Sequence, residues 1–512
     1  MRNKCSTIFG KAVLLIAYLN DLIFLGVFGK RLLDSDMASE MVLANILNKE
    51  HSISGMTQSW YYSTELRFLH THILFRLGLL AAPNNWHVAR VLAMALGLGL
   101  LAFSIVLVYA VSGMKSVGFY AATLCLLPLG SWYFWQTLIG GQYIPYIFIS
   151  MISVALTIVL SKQTKGGTQF IFIGLLALLG VASGFNGVKQ LMVFYAPFVL
   201  ASIIMIIYCI RKDGELPGFL LKNRREFRVV LFSAVAAFSS FLGFVVNSKV
   251  FSEKYHFMSF EEAKIQGGST LEDLRNYIWS FGYAEDKLVM SINGVAALLG
   301  LLIGVLTLIC AFRLFCRFDE LSFEKQYLTL ISVTSIGFSV FIFSYVGGGI
   351  QYFQPVVPFG LFLIVMEFET ERFVLGNGKL ISCFVLAAVL SVVSIGTMKN
   401  EFDKPLHDYR ARKEMVDLVE WLESQEYAKG VATFWDANII TELSDGKIDM
   451  WTICNQKSDE LYEWLQRVDH MNSYPEKYFY ICKIKEGYSE FVERHPELEL
   501  KYGDDDYVIY GN

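Results

Sequence analysis

Long apolar segments recur along the chain as far as Thr397, and none follows it. A helix that crosses the hydrocarbon core of a bilayer needs about 20 predominantly apolar residues. Segments of this kind are found at residues 11–30, 87–112, 116–135, 138–160, 169–187, 191–210, 228–248, 292–313, 327–346, 353–368 and 378–397. The pattern therefore predicts a polytopic α-helical membrane protein with about 11 transmembrane helices.

The composition agrees with this pattern. Hydrophobic residues make up 54% of the chain and charged residues only 18%, whereas a soluble protein carries about 25% charged residues. The formal net charge of −4 says little about partners. No basic patch indicates nucleic acid, so we expect no nucleic-acid partner.

The polar segments suggest how the chain is divided. We predict a membrane domain at residues 1–399, with long outer loops at 31–86 and 249–290, and a separate domain at residues 400–512. A loop as long as the second, which is expected to contain a helix at 271–278, is often a lid or a binding loop.

The tail alternates between two kinds of pattern. Strand-like stretches occur at residues 430–435, 478–484 and 507–510, a turn at 443–447, and helical spacing at 404–423 and 457–468. This alternation predicts a small α/β domain. The tail also contains Cys454 and Cys482, which can pair in an oxidising compartment, but the sequence cannot place them within bonding range.

Basic residues cluster in loops that an odd number of spans places on one side of the membrane. They are Arg2, Lys4, Lys11, Lys162, Lys165, Arg211, Lys212, Lys222, Arg224, Arg225, Arg228, Arg313, Arg317 and Lys325. Because cytoplasmic loops are rich in lysine and arginine, we predict a cytoplasmic N-terminus and an extracytoplasmic first loop and tail. The acidic loop at 367–372 is the exception. The opening segment lacks a convincing cleavage site, so we expect it to remain as an anchor.

Three carboxylates stand where the first span should leave the membrane: Asp34, Asp36 and Glu40. Asp36 and Glu40 are four positions apart, so on a helix they point the same way. Such a pair can accept a proton from a hydroxyl group or hold a divalent cation. The alternative is that Asp34, Ser35 or Asp36 caps the helix that follows.

The rest of the first loop is aromatic and basic. Trp60, Tyr61 and Tyr62 suit the headgroup region, and residues 66–82 are predicted to form a helix lying in the interface. His70 and His72 are two positions apart, and on a helix they would point in nearly opposite directions. We therefore expect that these histidines do not bind one metal ion together.

Two later turns contain candidate binding residues. Lys189 is the basic residue of the turn after the fifth span, beside glycines that let a ligand approach the backbone. It can bind phosphate, or it can simply snorkel at a helix end. Gln351 and Tyr352 follow a run of glycines and precede two prolines, Pro355 and Pro358, that would shape the next span.

These features together resemble the C-type (GT-C fold) glycosyltransferase superfamily, whose members include protein O-mannosyltransferases and bacterial lipid A aminoarabinose transferase. In those families an acidic motif opens the first outer loop, with another acid six positions on, as in Asp34 and Glu40 here, although Asp-X-Asp replaces the usual Asp-Glu. Gly187-Val188-Lys189-Gln190 keeps only the lysine of the family's Leu-Thr-Lys-Gly. Gln351-Tyr352 with its two prolines resembles a motif that usually has arginine before the tyrosine.

The resemblance implies a reaction. A sugar would move from a polyprenyl-phosphate-linked donor to an acceptor hydroxyl on the outer face of the membrane, with inversion. Asp34 or Asp36 would be the general base, and Lys189 would bind the donor phosphate. Asp36 and Glu40 would orient the acceptor or hold Mg²⁺ or Mn²⁺. Further residues expected in the substrate pocket are Tyr61, Tyr62, Glu65, Arg67, His72, Gln351 and Tyr352.

The resemblance also implies partners and a location. We expect an envelope glycan, lipid or protein as acceptor, in a bacterial plasma membrane. The competing functions are a transporter or lipid-linked-sugar flippase and a noncatalytic envelope-assembly protein. Asp21, with Asn20, lies within the first span, where ionisable residues are functional candidates. A carrier would usually show several such residues and an inverted repeat of interrupted helices, which the sequence does not show.

Overall fold

The computed structural model describes residues 2–162, 166–213, 225–257, 267–370, 377–403, 413–458, 460–484, 490–504 and 506–512. The α-helices are α1 Arg2–Phe28, α2 Ser35–Lys49, α3 His72–Ala81, α4 Trp86–Val111, α5 Lys115–Cys125, α6 Ile144–Ser161, α7 Gly167–Phe185, α8 Ala196–Asp213, α9 Arg225–Val246, α10 Ser252–Lys254, α11 Thr270–Trp279, α12 Ile292–Cys316, α13 Phe323–Val346, α14 Val357–Thr370, α15 Asn377–Asp403, α16 Lys413–Ser424, α17 Phe434–Leu443 and α18 Glu490–Arg494. The strands are β1 Trp60–Tyr61, β2 Lys429–Thr433, β3 Asp449–Ile453, β4 Gln466–Arg467, β5 Phe479–Lys483, β6 Glu499–Gly503 and β7 Tyr507–Gly511.

Among the described residues, nine helical segments are long and apolar enough to cross a membrane. They are Thr7–Leu32, Trp86–Val111, Ile144–Ser161, Gly167–Phe185, Leu191–Lys212, Arg225–Lys254, Ile292–Cys316, Phe323–Val346 and Ile350–Glu369. They match nine of the predicted spans. The predicted span at 378–397 falls on α15, and the side chains of its first residues lie outside the described part of the chain.

The predicted continuous span at 116–135 is wrong. Helix α5 ends at Cys125, and a π-helix, Tyr133–Ile139, follows before α6 begins. Pro128 lies in the gap and has no backbone N–H to continue a helix. Gly130 packs so closely that an added Cβ would lie 2.6 Å from the carbonyl oxygen of Ser280.

The chain divides into two compact units. The first consists of Met1–Asp21, Gly97–Ser248 and Phe260–Asp403 and contains most of the spans. Helices α7 and α9 pack with their backbones in close contact: a Cβ on Gly184 would lie 2.0 Å from the carbonyl oxygen of Ser240. Small residues of this kind let membrane helices approach closely.

Described acids of the loop at 367–372, which is the exception to the pattern of basic loops, are paired with basic residues in this first unit. Glu367 accepts hydrogen bonds from Arg313 and Arg317 at 2.5 Å, and Lys325 is paired with Glu369. Glu371 and Arg372 lie outside the described residues, as do Lys165, Lys222 and Arg224 of the basic loops.

The second unit consists of Leu22–Leu96, Lys249–Ser259 and Lys404–Asn512. Its five-stranded sheet has the order β3-β2-β5-β7-β6, in which β3, β2 and β5 are parallel and β7 and β6 antiparallel. Some side chains of the sheet, such as Ile481, form a hydrophobic core with α16 and α17. Others, such as Tyr480, belong to a second hydrophobic cluster that includes Phe491 of α18. The predicted small sheet-containing tail is confirmed.

The helix predicted at residues 457–468 of the tail is wrong. The described residues of 457–468 form turns and β4 rather than a helix, and β4 pairs antiparallel with β1 of the first loop. Cys482 is buried, with its Sγ 2.8 Å from the side-chain oxygen of Gln456, while Cys454 is exposed; they are not bonded to each other. The helix predicted at 271–278 is confirmed as α11. Residues 404–412 of the other predicted tail helix lie outside the described chain.

Candidate active site

Asp34 is the N-cap of α2. Its backbone is extended, and its carboxylate accepts a hydrogen bond of 2.7 Å from the backbone N–H of Met37. The residue is 3% exposed. Asp34 therefore performs the capping role that the sequence left open, since an N-cap carboxylate satisfies one of the free amides of the first turn.

The first turn of α2 is held by the tail on both sides of Asp36. Ser35 donates through its hydroxyl to the carbonyl oxygen of Phe434. Arg90 donates to the carbonyl oxygen of Met37 at 3.0 Å and forms a bidentate ion pair with Glu442 of α17. Because these contacts lie on both sides of Asp36, they hold the backbone of its turn in place.

Glu40, one turn after Asp36, is the centre of a buried cluster. Its Oε1 lies 2.5 Å from Nη1 of Arg67. Its Oε2 accepts from the backbone N–H of His72 at 3.0 Å and lies 2.9 Å from Nδ1 of His70. Burial alone would raise the pKa of Glu40, but the charges of His70 and Arg67 and the hydrogen bond from His70 more than offset burial, so its pKa lies well below the ordinary value. Glu40 is thus held as a carboxylate.

Asp36 has a different environment from its two neighbours. It is half-buried, and its carboxylate makes no hydrogen bond to any described residue. Burial raises the pKa of Asp36 and the charge of Glu40 raises it further, whereas the charges of Arg67 and His70 act in the opposite direction; the net pKa is raised. A carboxylate with a raised pKa and unoccupied oxygens is the best proton acceptor of the three acids.

The remaining first-loop candidates lie in the same unit. Arg67 adopts a left-handed backbone with φ of 57°, a strained conformation that is common at functional sites. The ring of Tyr61 packs against that of His256 at a tilt of 43°, with ring centroids 4.8 Å apart. Tyr62 is buried, and its hydroxyl accepts from the backbone N–H of Thr57 at 3.0 Å. Glu65 is half-buried. Tyr62 is therefore a packing residue, and Arg67 is the candidate nearest to the acids.

Tyr462 was missed by sequence reasoning. Burial, Cys454 and Asp36 each raise the pKa of its phenol, so the hydroxyl is within electrostatic reach of Asp36. Its ring stacks with that of Trp464 at 6.1 Å. No local signal in the sequence marks this tyrosine, because 426 positions separate it from Asp36.

Lys189 lies in the first unit within a group of aromatic rings. Its Nζ is 5.3 Å from the ring centroid of Tyr143, 5.1 Å from that of Tyr146 and 5.7 Å from that of Tyr352. Tyr143 and Tyr146 are buried. Cation–π contacts stabilise an ammonium group that has lost part of its water. The structure thus brings together Lys189 and Tyr352, two candidates that the sequence had named separately.

Two other candidates can be placed in the first unit. Gln351 is half-buried and packs against Gly349, where an added Cβ would lie 2.3 Å from its side-chain oxygen. Gln351 therefore shapes the turn before Tyr352.

Asp21 is 1% exposed, and neither of its carboxylate oxygens makes a hydrogen bond to a described residue.

The expectation that His70 and His72 cannot share a metal ion is wrong. The helix predicted over 66–82 begins only at His72, so the two histidines do not follow helical spacing. The ligand atoms of Glu40, His70 and His72 all lie within 4.8 Å of one another, and all three residues are buried. This group can hold a metal ion, and Asp36 is not among its ligands.

No protein-family model matches the chain, and no curated protein sequence matches it. Among solved structures, the chain is similar to ArnT from Cupriavidus metallidurans bound to undecaprenyl phosphate, with 11% identity and a TM-score of 0.59 over 98% of this chain and 97% of that one. ArnT in the apo state gives 11% identity and a TM-score of 0.60 over 100% and 98% of the two chains. A weaker likeness, with 13% identity and a TM-score of 0.49 over 93% and 69%, is to the Archaeoglobus fulgidus oligosaccharyltransferase tethered with an acceptor peptide. The two ArnT comparisons show that this chain shares the fold of ArnT, the GT-C fold that the resemblance in sequence predicted.

Proposed function

We propose that the protein is a membrane glycosyltransferase that moves a sugar from a polyprenyl-phosphate-linked donor to an acceptor hydroxyl on the outer face of the membrane, with inversion. Two observations support this proposal: the fold is shared with ArnT, which was crystallised with undecaprenyl phosphate, and the carboxylate of Asp36 lies near Arg67, Glu40 and His70 without a hydrogen bond to any described residue. The proposal depends mainly on Asp36, whose carboxyl group has a raised pKa and makes no hydrogen bond to a described residue.

Asp36 is the general base. It withdraws the proton of the acceptor hydroxyl as the oxygen attacks the anomeric carbon of the sugar, and its raised pKa makes it a stronger base than Glu40. Asp34 is the weaker base, because one of its carboxylate oxygens already accepts a hydrogen bond from the Met37 amide. Arg67, held in place by Glu40, orients the acceptor beside the base. A metal ion held by Glu40, His70 and His72 would keep the Glu40 side chain in place.

Lys189 binds the phosphate of the donor. The leaving group is a lipid phosphate, which needs charge stabilisation rather than a proton as the glycosidic bond breaks. An ammonium group among Tyr143, Tyr146 and Tyr352 is shielded from water on the side of the rings, and electrostatic stabilisation is stronger where water is scarce. The acceptor is an envelope glycan, lipid or protein.

The test uses purified full-length protein in lipid with a labelled polyprenyl-phosphate sugar. The wild type should release or transfer the sugar, and Asp36→Asn should lower the rate by about 10²–10⁴-fold, which is the usual contribution of a general base. Asp34→Asn is the matched control, because asparagine caps a helix about as well as aspartate. If Asp34→Asn transfers sugar slowly and Asp36→Asn keeps the wild-type rate, Asp34 rather than Asp36 is the general base. Movement of the intact lipid across the bilayer without cleavage would favour the flippase, for which buried Asp21 is the candidate residue.

A further inference from the structure

We propose that Glu40, His70 and His72 bind a zinc ion. The distances suit such an ion: Oε2 of Glu40 lies 2.9 Å from Nδ1 of His70 and 3.5 Å from Nδ1 of His72. Zinc–ligand bonds of about 2.0–2.1 Å in tetrahedral geometry place neighbouring ligand atoms roughly 3.4 Å apart. The Glu40–His72 separation matches this value, the Glu40–His70 separation is slightly shorter, and all three ligand atoms lie within 4.8 Å of one another. A modest adjustment of the side chains would therefore bring all three atoms into the zinc coordination sphere.

The hydrogen bonds of His72 orient it as a ligand. Its Nε2 lies 3.2 Å from the carbonyl oxygen of Gly55, which only accepts, so Nε2 carries the proton. In the neutral ring Nδ1 then presents a lone pair. This atom is buried and makes no hydrogen bond within the described chain. It faces Oε2 of Glu40, which is also an acceptor, and a cation between them satisfies both atoms.

The surroundings of the three residues match those of known metal ligands. A histidine that binds metal usually donates its other ring N–H to a backbone carbonyl, as His72 does to Gly55. Ligating carboxylates are themselves hydrogen-bonded, as Glu40 is through Oε1 to Arg67. Two imidazole nitrogens and one carboxylate oxygen suit zinc, whereas Mg²⁺ prefers oxygen ligands alone.

The ion would have a structural consequence. Glu40 is on α2, His70 lies in the turn before α3, and His72 is the first residue of α3. A zinc ion on these residues cross-links the end of the first loop to α2, one turn after Asp36. The inference does not depend on the proposed reaction, since it concerns binding and not transfer.

Metal content tests the inference directly. Full-length protein purified in detergent, stripped with a chelator and reloaded with zinc should contain about one zinc per chain by mass spectrometry, as three ligands from one chain imply. The variants E40Q, H70Q and H72Q should each bind zinc at least about 10-fold more weakly, because each removes a ligand. Cobalt(II) in place of zinc should give the intense visible absorption of a tetrahedral site.

The control is His51→Asn, which removes an exposed histidine of the same loop at φ of 53°, a backbone that asparagine tolerates. This variant should keep wild-type zinc content. The inference is overturned if the wild type binds no zinc, if H70Q and H72Q retain full zinc, or if cobalt gives only the weak absorption of an octahedral site. The cobalt spectrum is measured on the wild type, so the inference can be tested even if the ligand variants fail to fold.

Discussion

Arg90 and Glu442 lie 352 positions apart in the chain and form a bidentate ion pair with both nitrogen–oxygen distances at 2.6 Å. The two side chains are 1% and 3% exposed. Arg90 also donates to the carbonyl oxygen of Met37, next to Asp36. One guanidinium therefore joins α4, α17 and the turn that carries the proposed base.

Loss of one partner of this pair should destabilise the protein strongly. Glu442→Gln leaves the Arg90 charge buried without a counter-charge, which costs about 3–5 kcal/mol, and thermal unfolding of the full chain in detergent measures the loss. Glu423→Gln is the control, because its pair with Lys447 is at the surface and should contribute less than about 1 kcal/mol. Equal melting temperatures for the two variants would contradict the importance of the buried pair.

The cap at Asp34 should be recognisable from two substitutions. Asp34→Ala removes the acceptor for the Met37 amide and should lower the free energy of unfolding by about 1 kcal/mol. Asp34→Asn keeps an acceptor oxygen and should lower it only slightly. Denaturant or thermal unfolding of both variants makes the comparison, and equal losses would show that the charge of Asp34 matters more than its cap.

Removal of the Lys189 charge should slow sugar transfer without changing acceptor binding. Lys189→Met should lower kcat by about 10²–10³-fold, as loss of one group that stabilises developing charge typically does. Tyr352→Phe keeps the ring that the ammonium contacts at 5.7 Å and should retain activity, whereas Tyr352→Ala should not. A Lys189→Met enzyme with wild-type kcat for the labelled donor would remove Lys189 from phosphate binding.

The contact between α7 and α9 can be tested with two glycines of the same helix. Gly184→Ala would place a Cβ 2.0 Å from the Ser240 carbonyl oxygen, and such overpacking should cost about 1–3 kcal/mol. Gly174 has nothing within 4 Å of an added Cβ, so Gly174→Ala should be neutral or should stabilise by up to about 1 kcal/mol. The reverse order of melting temperatures would refute the close packing.

Asp449 should contribute to stability only above acidic pH. Burial would raise its pKa, but a hydrogen bond from His470 and the charges of His470, Arg467 and Lys49 more than offset burial, and the net pKa is lowered. A carboxyl whose pKa is lower in the folded state stabilises the fold above its unfolded pKa of about 3.9, and this stabilisation disappears as the pH falls through the folded pKa. Asp449→Asn should therefore be less stable than wild type near neutral pH, and the difference should shrink below about pH 4. A pH-independent difference in melting temperature would argue against this linkage.

Hydrophobicity alone predicted most spans, because the bilayer requires about 20 apolar residues in a row whatever their neighbours. It failed at 116–135, where Pro128 and the close packing of Gly130 interrupt an apolar run that has the right length. Similarly, spacing argued against His70 and His72 as joint ligands, because the start of α3 could not be located from the sequence.

The candidate residues could be named from the sequence, but their partners could not. Asp34, Asp36 and Glu40 stood out as acids at a predicted membrane exit, yet only the hydrogen bond to Met37 distinguishes the cap from the unoccupied carboxylate. The hydrogen bond from the Ser35 hydroxyl to the backbone oxygen of Phe434 joins distant parts of the chain. Neither residue has a local pattern that marks it.

Helix α17, whose Phe434 and Glu442 hold the first turn of α2 through Ser35 and Arg90, is synthesised long after that turn: Phe434 follows Ser35 by 399 positions. Until α17 has been synthesised and has folded, the acids of the first loop are present but the groups that hold their turn are not. A chain that stops before α17 therefore contains Asp36 without the contacts that hold its turn in place.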